Sequence, residues 1–514
     1  MDPVELHRQL LNPALYPDNP SAVTFRETHI SKVYLTDHFA YKLKKPLNLG
    51  FLDFSTLALR QYFCQEEIRL NRRFSPDIYL DVINICHSRQ GIRFGGKGRI
   101  IDYAVRMRRL PEERMLSRLL EANDPDLPVE MERLAGHLAG LLGQVPRCLN
   151  EENSDTVREK IAGNLQQILP AIGLSLTPDA HRLISSRMEE EVGRLAELIE
   201  QRAVQGYVRE GHGDLHAANI CMTDPVAVYD CIEFCRRFRV ADVAADLAFL
   251  LMDLDFRNRR DLGGIFLDSY QRQVCDPGLV RLLPLYKTYR ALVRGKVSTL
   301  LTMETDVEAE LRHQSLNTAW RYFNLALGYH LPPSLIVTSG VMGVGKSTLA
   351  KALAEATGAT LLRSDVVRKE LAGLPSDRPS AEPFLSGLYS EAMNSRTYAK
   401  LLERTEPPLR QGGSVIVDAA FSQAAERKDY FALANKLGRP LLFLHLQCPP
   451  AAALARLERR QQLGNDPSDG RSELYSLHAA GFAEFDPVLP LLKIDSTLGV
   501  DYNVQQVLCT LLQS

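Results

Sequence analysis

The sequence predicts two folds in one chain: an α+β two-lobed domain, then an α/β domain built on a parallel sheet. Three observations lead there. The first hundred or so residues alternate apolar and polar side chains in short β-rich runs, whereas residues 130–203 place apolar side chains three and four apart, the helical period. Gly328–Ser334, with its Pro332-Pro333 pair, then breaks the helical pattern. Beyond it, an apolar strand, a Gly-rich turn and an Ala/Leu-rich helix open an alternation of strands and helices, the mark of a parallel sheet. The implied domains are 1–330, with a small lobe over about 1–110 and a helical lobe over about 111–327, and 331–514.

In chain order, Lys32–Thr36 and Phe39–Lys44 read as strands and Thr56–Arg73 as a helix between strands. A loop with short strands follows the helical stretch and includes Val226–Asp230; Asp242–Met252 and Leu285–Leu301 are helical again. In the second domain, strands are expected at Leu335–Ser339, Ala359–Leu362, Ser414–Val417 and Leu441–Leu446. The length, 514 residues, exceeds one ordinary core and calls for two or three domains. Hydrophobic content of 45% and charged content of 24% are those of a soluble globular protein. A formal net charge of −2 argues against nucleic acid or an anionic membrane as partner. No apolar run is long enough for a bilayer, and the N-terminus lacks the plan of a signal peptide. Nine scattered cysteines without a Cys-x-x-Cys pair fit reduced thiols, so a cytoplasmic location is expected. None of this fixes an oligomeric state.

Two motifs carry chemistry. The first is His212-Gly-Asp214, with Asn219 five residues after the Asp and Asp230 at the end of an apolar run. Phosphoryl transfer to a hydroxyl needs a base beside that hydroxyl, metal ligands and a cation on the nucleotide phosphates. Asp214 is placed as the base, Asn219 and Asp230 as Mg²⁺ ligands, and His212 as a brace for the loop. The plain alternative is a polar turn with two buried histidines; Asn219 and Asp230 at the catalytic-loop spacing favour the kinase reading. A zinc pair of His212 and His216 is disfavoured, because Gly213 opposes a helix there and the glutamate of His-Glu-x-x-His is missing.

At these residues the chain resembles the aminoglycoside phosphotransferase family, which shares the protein-kinase-like fold with choline and fructosamine kinases. The resemblance is tightest over His212–Asp246 and extends more loosely over Glu27–Leu301. It implies ATP held between two lobes and phosphate passed to a small-molecule hydroxyl. It also implies a strand lysine paired with a helix glutamate. Lys42 fits the Ala-x-Lys pattern, with Lys44 on the same strand face as its competitor; Glu67 is the chosen partner, with Glu66 the alternative. No Gly-x-Gly-x-x-Gly loop is visible, and Glu27–Ser31 stands in for it, with Ser31 toward the phosphates. Asp242 and Asp246 resemble family carboxylates that brace the active-site loops.

The second motif, Gly340 to Ser347, is a complete Walker A loop. Gly340, Gly343 and Gly345 permit a tight path in which backbone N–H groups, including those of Val344 and Thr348, cradle phosphates at a helix N-terminus. Lys346 reaches the β/γ-phosphates and Ser347 ligates Mg²⁺. Asp418 ends the strand Ser414–Val417 as a second metal-site carboxylate. Asp365 and Arg368 resemble the acceptor-side motif of P-loop small-molecule kinases, among them gluconate kinase, zeta toxins and polynucleotide kinases, a resemblance covering 335–514. It implies that Asp365 orients the acceptor hydroxyl; a metal-supporting carboxylate and a helix N-cap are its alternatives. Arg456 and Arg460, on one helical face, are candidates for a lid over the transferring phosphate or for a solvated face.

The expected protein is therefore a protein-kinase-like domain followed by a P-loop NTPase domain, each binding ATP and Mg²⁺. Its expected activity is bifunctional: ATP-dependent phosphorylation of hydroxyls on small polar metabolites. A toxin-like or nucleic-acid-end kinase and a regulatory ATP-binding protein are the alternatives. Substrate identity lies in helices and loops outside the phosphate motifs.

Overall fold

The computed structural model describes residues 3–50, 52–89, 91–149, 151–304, 308–375, 388, 390–463 and 472–513. They form two compact units: Met1–Arg158 with Val192–Tyr286, and Glu159–Glu191 with Lys287–Ser514.

The first unit begins with helix α1 (Pro3–Leu10) and strands β1 (Thr24–Glu27), β2 (Ser31–Leu35) and β3 (Phe39–Lys44). Helix α2 (Leu57–Asn71) is inserted before β4 (Tyr79–Ser88), β5 (Gly91–Phe94) and β6 (Arg99–Arg108). The strands make one six-stranded antiparallel sheet in the order β1-β2-β3-β6-β4-β5. Period-two alternation divides its side chains between two faces. Tyr34, Tyr41 and Leu43 pack with Leu10 and Tyr16 on one face. On the other, Ala40, Tyr79 and Val105 pack with Cys64 and Ile68 of α2. Lys42 shares the face of Ala40, two residues away, and so points to the helix that carries Glu67. The Thr56 hydroxyl starts α2 by accepting the Leu59 N–H at 3.2 Å.

The helical part of this unit holds α3 (Leu116–Ala122), α4 (Leu127–Gln144), the first turn of α5 (Ser154–Gln167) and the later half of α6 (Pro178–Gln205). Short strands β7 (Val208–Glu210), β8 (Ile220–Cys221), β9 (Ala227–Val228) and β10 (Val240–Asp242) frame the His212 loop, with helix α7 (Arg236–Arg239) before β10. Helices α8 (Val243–Phe256), α9 (Arg260–Val274) and the start of α10 (Leu279–Met303) complete it. Helix α8 is buried from Val243 through Asp255, which suits its almost uniformly apolar sequence. Asp242 caps it by accepting the Ala244 N–H at 2.8 Å and pairs with buried Arg202 at 2.7 Å.

The second unit takes the remainders of α5, α6 and α10 with α11 (Ala309–Gly328). Its sheet runs β11 (Leu335–Ser339), α12 (Lys346–Thr357), β12 (Thr360–Arg363), α13 (Ser364–Leu371), α14 (Glu391–Arg410), β13 (Val415–Asp418). It continues α15 (Ala424–Leu437), β14 (Leu441–Gln447), α16 (Pro450–Leu463), α17 (Tyr475–Ala480), β15 (Leu491–Asp495), α18 (Val500–Gln513). All five strands are parallel, in the order β12-β13-β11-β14-β15. The parallel sheet is the one the alternation of elements implies; β15, with Lys493 in its middle, is a strand the sequence reading does not include.

This grouping differs from a break at 330/331, and α11 supplies the reason. A Cβ on Gly328 would meet the Ala356 carbonyl oxygen of α12 at 2.1 Å, so the two backbones touch. Asn324 bonds Asp501 at 3.1 Å, and Trp320 meets the Tyr502 ring edge-on at 6.3 Å. Helix α11 thus packs on α12 and α18, and the Gly328–Ser334 stretch is a tight turn between packed elements.

Candidate active sites

In the first unit, β3, α2 and the segment that follows β9 bring five charged groups together. Lys42 Nζ donates to Glu67 Oε1 at 2.8 Å and also bonds Asp230. Lys44 Nζ donates to Glu67 Oε2 at 2.7 Å and also bonds Glu233. Glu66 instead points away and pairs with Arg69 at 2.7 Å. Burial alone would lower the Lys42 pKa, but Asp230, Glu67 and Glu233 outweigh it and hold the ammonium well above its ordinary range. Burial likewise works against ionised Glu67, and the two lysines overcome it, leaving its pKa at about 2. Glu233 goes the other way: burial raises it against the pull of Lys44. Asp230 has φ +65°, a conformation rare outside glycine, and Tyr79 Oη accepts its N–H at 3.0 Å.

The loop around Asp214 is held from behind. Asp246 accepts the N–H groups of His212 and Gly213 at 2.7 and 2.8 Å. His212 is fully buried; its Nδ1 accepts the Asp214 N–H at 3.2 Å, so Nε2 carries the proton and donates to the Tyr229 carbonyl at 2.9 Å. Burial lowers its pKa, which keeps the ring neutral. His216 Nδ1 accepts the Ala218 N–H at 3.3 Å, leaving Nε2 3.4 Å from Asp214 Oδ2. His212 spends both ring nitrogens on the loop and has none left for a metal, which argues against the zinc pair. Asn219 Nδ2 donates to the Asp214 carbonyl and Oδ2 at 3.0 and 3.2 Å, so its oxygen is the atom it offers a cation. Ser31 is fully buried, its hydroxyl without a partner among the described residues, and it ends the Thr28–Ser31 turn between β1 and β2.

The second unit builds its loop at the C-terminal end of β11, where ligands of open parallel sheets lie. Gly343 has φ +80°, and a Cβ there would meet the Ala453 carbonyl oxygen at 2.7 Å. Lys346 folds back on the loop, donating to the Gly340 and Val341 carbonyls at 3.0 and 2.8 Å. Burial lowers its pKa, with Asp418 and Asp365 opposing and Arg460 adding to the effect. Ser347 is half-buried and Thr348 exposed at the start of α12, whose N-cap is Gly345. Asp418, 5% exposed, accepts from Thr338 Oγ1 and Arg363 Nε, both at 3.3 Å.

Asp365 lies in the first turn of α13, whose N-cap is Arg363; the cap alternative for Asp365 is corrected accordingly. Its Oδ1 takes Arg368 Nη1 at 2.9 Å, and Arg368 Nη2 reaches Asn394 Oδ1 at 3.0 Å. Arg456 is engaged at the base of the loop: it donates to the Val344 carbonyl at 3.4 Å, Ser496 Oγ at 3.0 Å and the Ser496 carbonyl at 2.7 Å. Val344 is buried beneath the loop. The motifs left out Glu233, Arg363, Asn394 and His478. Glu233, three residues after Asp230, and Arg363, two residues before Asp365, have a local signal; Asn394 and His478 reach their sites through tertiary contacts.

Among the described residues, no group of three or more His, Cys, Asp or Glu side chains could hold a metal ion, and no helix is long and apolar enough to cross a membrane.

Two segments of the chain match known families. The phosphotransferase enzyme family matches residues 64–285, and an AAA domain matches residues 335–483. The uncharacterized protein Rv2004c of Mycobacterium tuberculosis is 30% identical over 474 residues, covering 90% of this chain and 91% of its own. The uncharacterized protein Mb2027c of Mycobacterium bovis gives the same figures. Among solved structures, the GDP complex of aminoglycoside 2'-phosphotransferase-IIIa covers 62% of this chain and 98% of its own, at 14% identity and a TM-score of 0.39. A gluconokinase from Sinorhizobium meliloti covers 35% and 93%, at 20% identity and a TM-score of 0.27. Aligned over 90% of its length with the mycobacterial proteins, the chain belongs to their family, and it is a kinase of tandem build in which a phosphotransferase-family module precedes a P-loop module.

Proposed function

We propose that the protein is a bifunctional ATP-dependent phosphotransferase whose two modules, one in each compact unit, each phosphorylate a hydroxyl on a small polar metabolite in the cytoplasm. The observation that carries the proposal is that each unit completes its own set of groups for a nucleotide. Lys42, Glu67 and Asp230 converge beside Asp214 and Asn219 in one; Gly343, Lys346 and Ser347 form part of the phosphate loop in the other, with Asp418 near Lys346.

In the first module Asn219 and Asp230 would hold Mg²⁺, and in the second Ser347 and Asp418 would. The metal, when bound, neutralises phosphate charge as it builds up in transfer. Lys42, kept charged by three carboxylates, binds phosphate oxygens. Asp214 Oδ2, steadied by Asn219 and His216, accepts the proton of the acceptor hydroxyl as its oxygen attacks. In the second module Asp365 orients the acceptor, and Arg368, fixed by Asp365 and Asn394, binds it. Arg460, beside Lys346 electrostatically, is available to the transferring phosphate. The near-neutral charge of the chain supports a small-molecule acceptor over nucleic acid.

The test is a metabolite screen with γ-labelled ATP on the full chain and on Asp214→Asn and Lys346→Ala. Asp214→Asn should lower labelling of one product by about 10²–10⁴-fold and leave the other. Lys346→Ala should do the reverse, and calorimetry should count two nucleotide sites in the wild type and one in Lys346→Ala. A single site lost in either variant would refute the two-module reading, and absence of any labelled metabolite would favour a regulatory nucleotide-binding protein.

A further inference from the structure

The phosphate loop has a partner that the nucleotide motifs do not explain. His478 Nδ1 accepts the backbone N–H of Met342, inside the loop, at 3.2 Å. With Nδ1 accepting, the neutral ring carries its proton on Nε2 and has one donor to spend. Burial and the neighbouring charge of Lys346 lower the imidazole pKa to about 4, so the ring is neutral at physiological pH and lies in the field of the lysine. Lys346 donates to the Val341 carbonyl and His478 accepts the N–H of Met342, so the two side chains engage neighbouring residues of the phosphate loop.

The imidazole is held there by a strap formed by α17 and the residues after it. The Ala483 N–H donates to the Ser422 carbonyl at 2.9 Å. Fully buried Arg427 donates from Nη2 to the carbonyls of Ala483 and Glu484 at 3.0 and 2.8 Å and lies over the Phe485 ring at 4.1 Å. These contacts anchor the strap to the residues that follow Asp418, so His478 reaches the loop from a fixed base. Loop carbonyls already have Lys346 and Arg456 as donors, and His478 accepts a loop N–H.

We propose that His478 is a nucleotide-contacting residue of the second module, bracing the phosphate loop through Nδ1 and donating its Nε2 proton to the terminal phosphate of ATP. The proposal rests on reading the loop as an ATP site.

The test uses the full chain carrying Lys42→Met and Asp230→Asn, so that calorimetry with Mg·AMP-PNP and Mg·ADP reads the second site. His478→Asn keeps an acceptor near the Nδ1 position and removes the Nε2 donor; His478→Gln restores a donor near Nε2. A hydrogen bond to a charged phosphate corresponds to about tenfold or more in affinity. His478→Asn should therefore weaken AMP-PNP by about that factor, leave ADP within about twofold, and keep the thermal midpoint of the nucleotide-free protein. His478→Gln should recover most of the AMP-PNP affinity. Equal losses for AMP-PNP and ADP, or wild-type AMP-PNP binding in His478→Asn while Lys346→Ala loses it, would overturn the role of His478 alone. Undiminished binding in Lys346→Ala would overturn the ATP reading and the proposal with it.

Discussion

Lys42 and Lys44 are two residues apart on β3 and share the carboxylate of Glu67, yet their surroundings assign them different work. Lys44 has a fully buried side chain, and its second partner, Glu233, is 4% exposed. Lys42 has as its second partner Asp230, whose side chain is 41% exposed and open to a ligand. Removing Lys44 strands a buried carboxylate, which costs about 3–5 kcal/mol. Removing Lys42 leaves Glu67 paired with Lys44 and Asp230 able to hydrate. Lys44→Met should therefore lower unfolding stability in urea by about that amount, whereas Lys42→Met should lower it less and abolish transfer by the first module. Equal stability losses in the two variants would contradict this division. The Ala-x-Lys pattern places both lysines on one face but cannot say which faces the metal loop. That depends on Glu233, whose burial no local pattern announces.

At the scale of elements, α13 and α14 carry the residues proposed for the acceptor side of the second module. Asp365 occupies the first turn of α13 and clasps Arg368 one turn later, and Asn394 of α14 holds the other arm of the guanidinium. Asp365→Ala should lower turnover and raise the acceptor KM while leaving nucleotide affinity nearly unchanged, because the group acts on the acceptor. Calorimetry with Mg·AMP-PNP beside steady-state kinetics checks it; a parallel fall in nucleotide affinity would make Asp365 a metal-site group instead. The β11-loop-α12 element was legible because a strand, three glycines and Lys346-Ser347 form one contiguous pattern. Asn394 and His478 were not legible, because each comes from another helix and meets the site only through packing, and the pairing of Arg363 with Asp418 depends on the order of the sheet.

For the whole molecule, the second unit carries three histidines whose pKa burial lowers: His330 and His478, both to about 4 from 6.5, and His445 in the same direction. A depressed pKa contributes stability that is full above about pH 6.5 and is lost as pH falls through about 4, because unfolding then takes up protons. Glu426 and Asp501, raised by burial, act in the opposite sense, so the contribution is best read by difference. The thermal midpoint of the second unit should fall from pH 7.5 to about 4.5, and His330→Asn should flatten that fall. An unchanged slope in His330→Asn would show that the ring is not protonated on unfolding.

The sequence by itself determined the tandem order, the parallel sheet, the phosphate loop and the Asp214–Asn219–Asp230 spacing. Each is a local pattern of period, turn chemistry or fixed offset, and local physics is written residue by residue. Only the tertiary structure decided that α11 groups with the P-loop sheet, through Gly328 against α12. It also decided that Glu67 serves two lysines, that Arg456 fastens the loop to Ser496, and that His478 takes the Met342 N–H. Those are contacts between residues far apart in the chain, fixed by packing and by the need of buried polar groups for partners, and no window of sequence contains both ends of them.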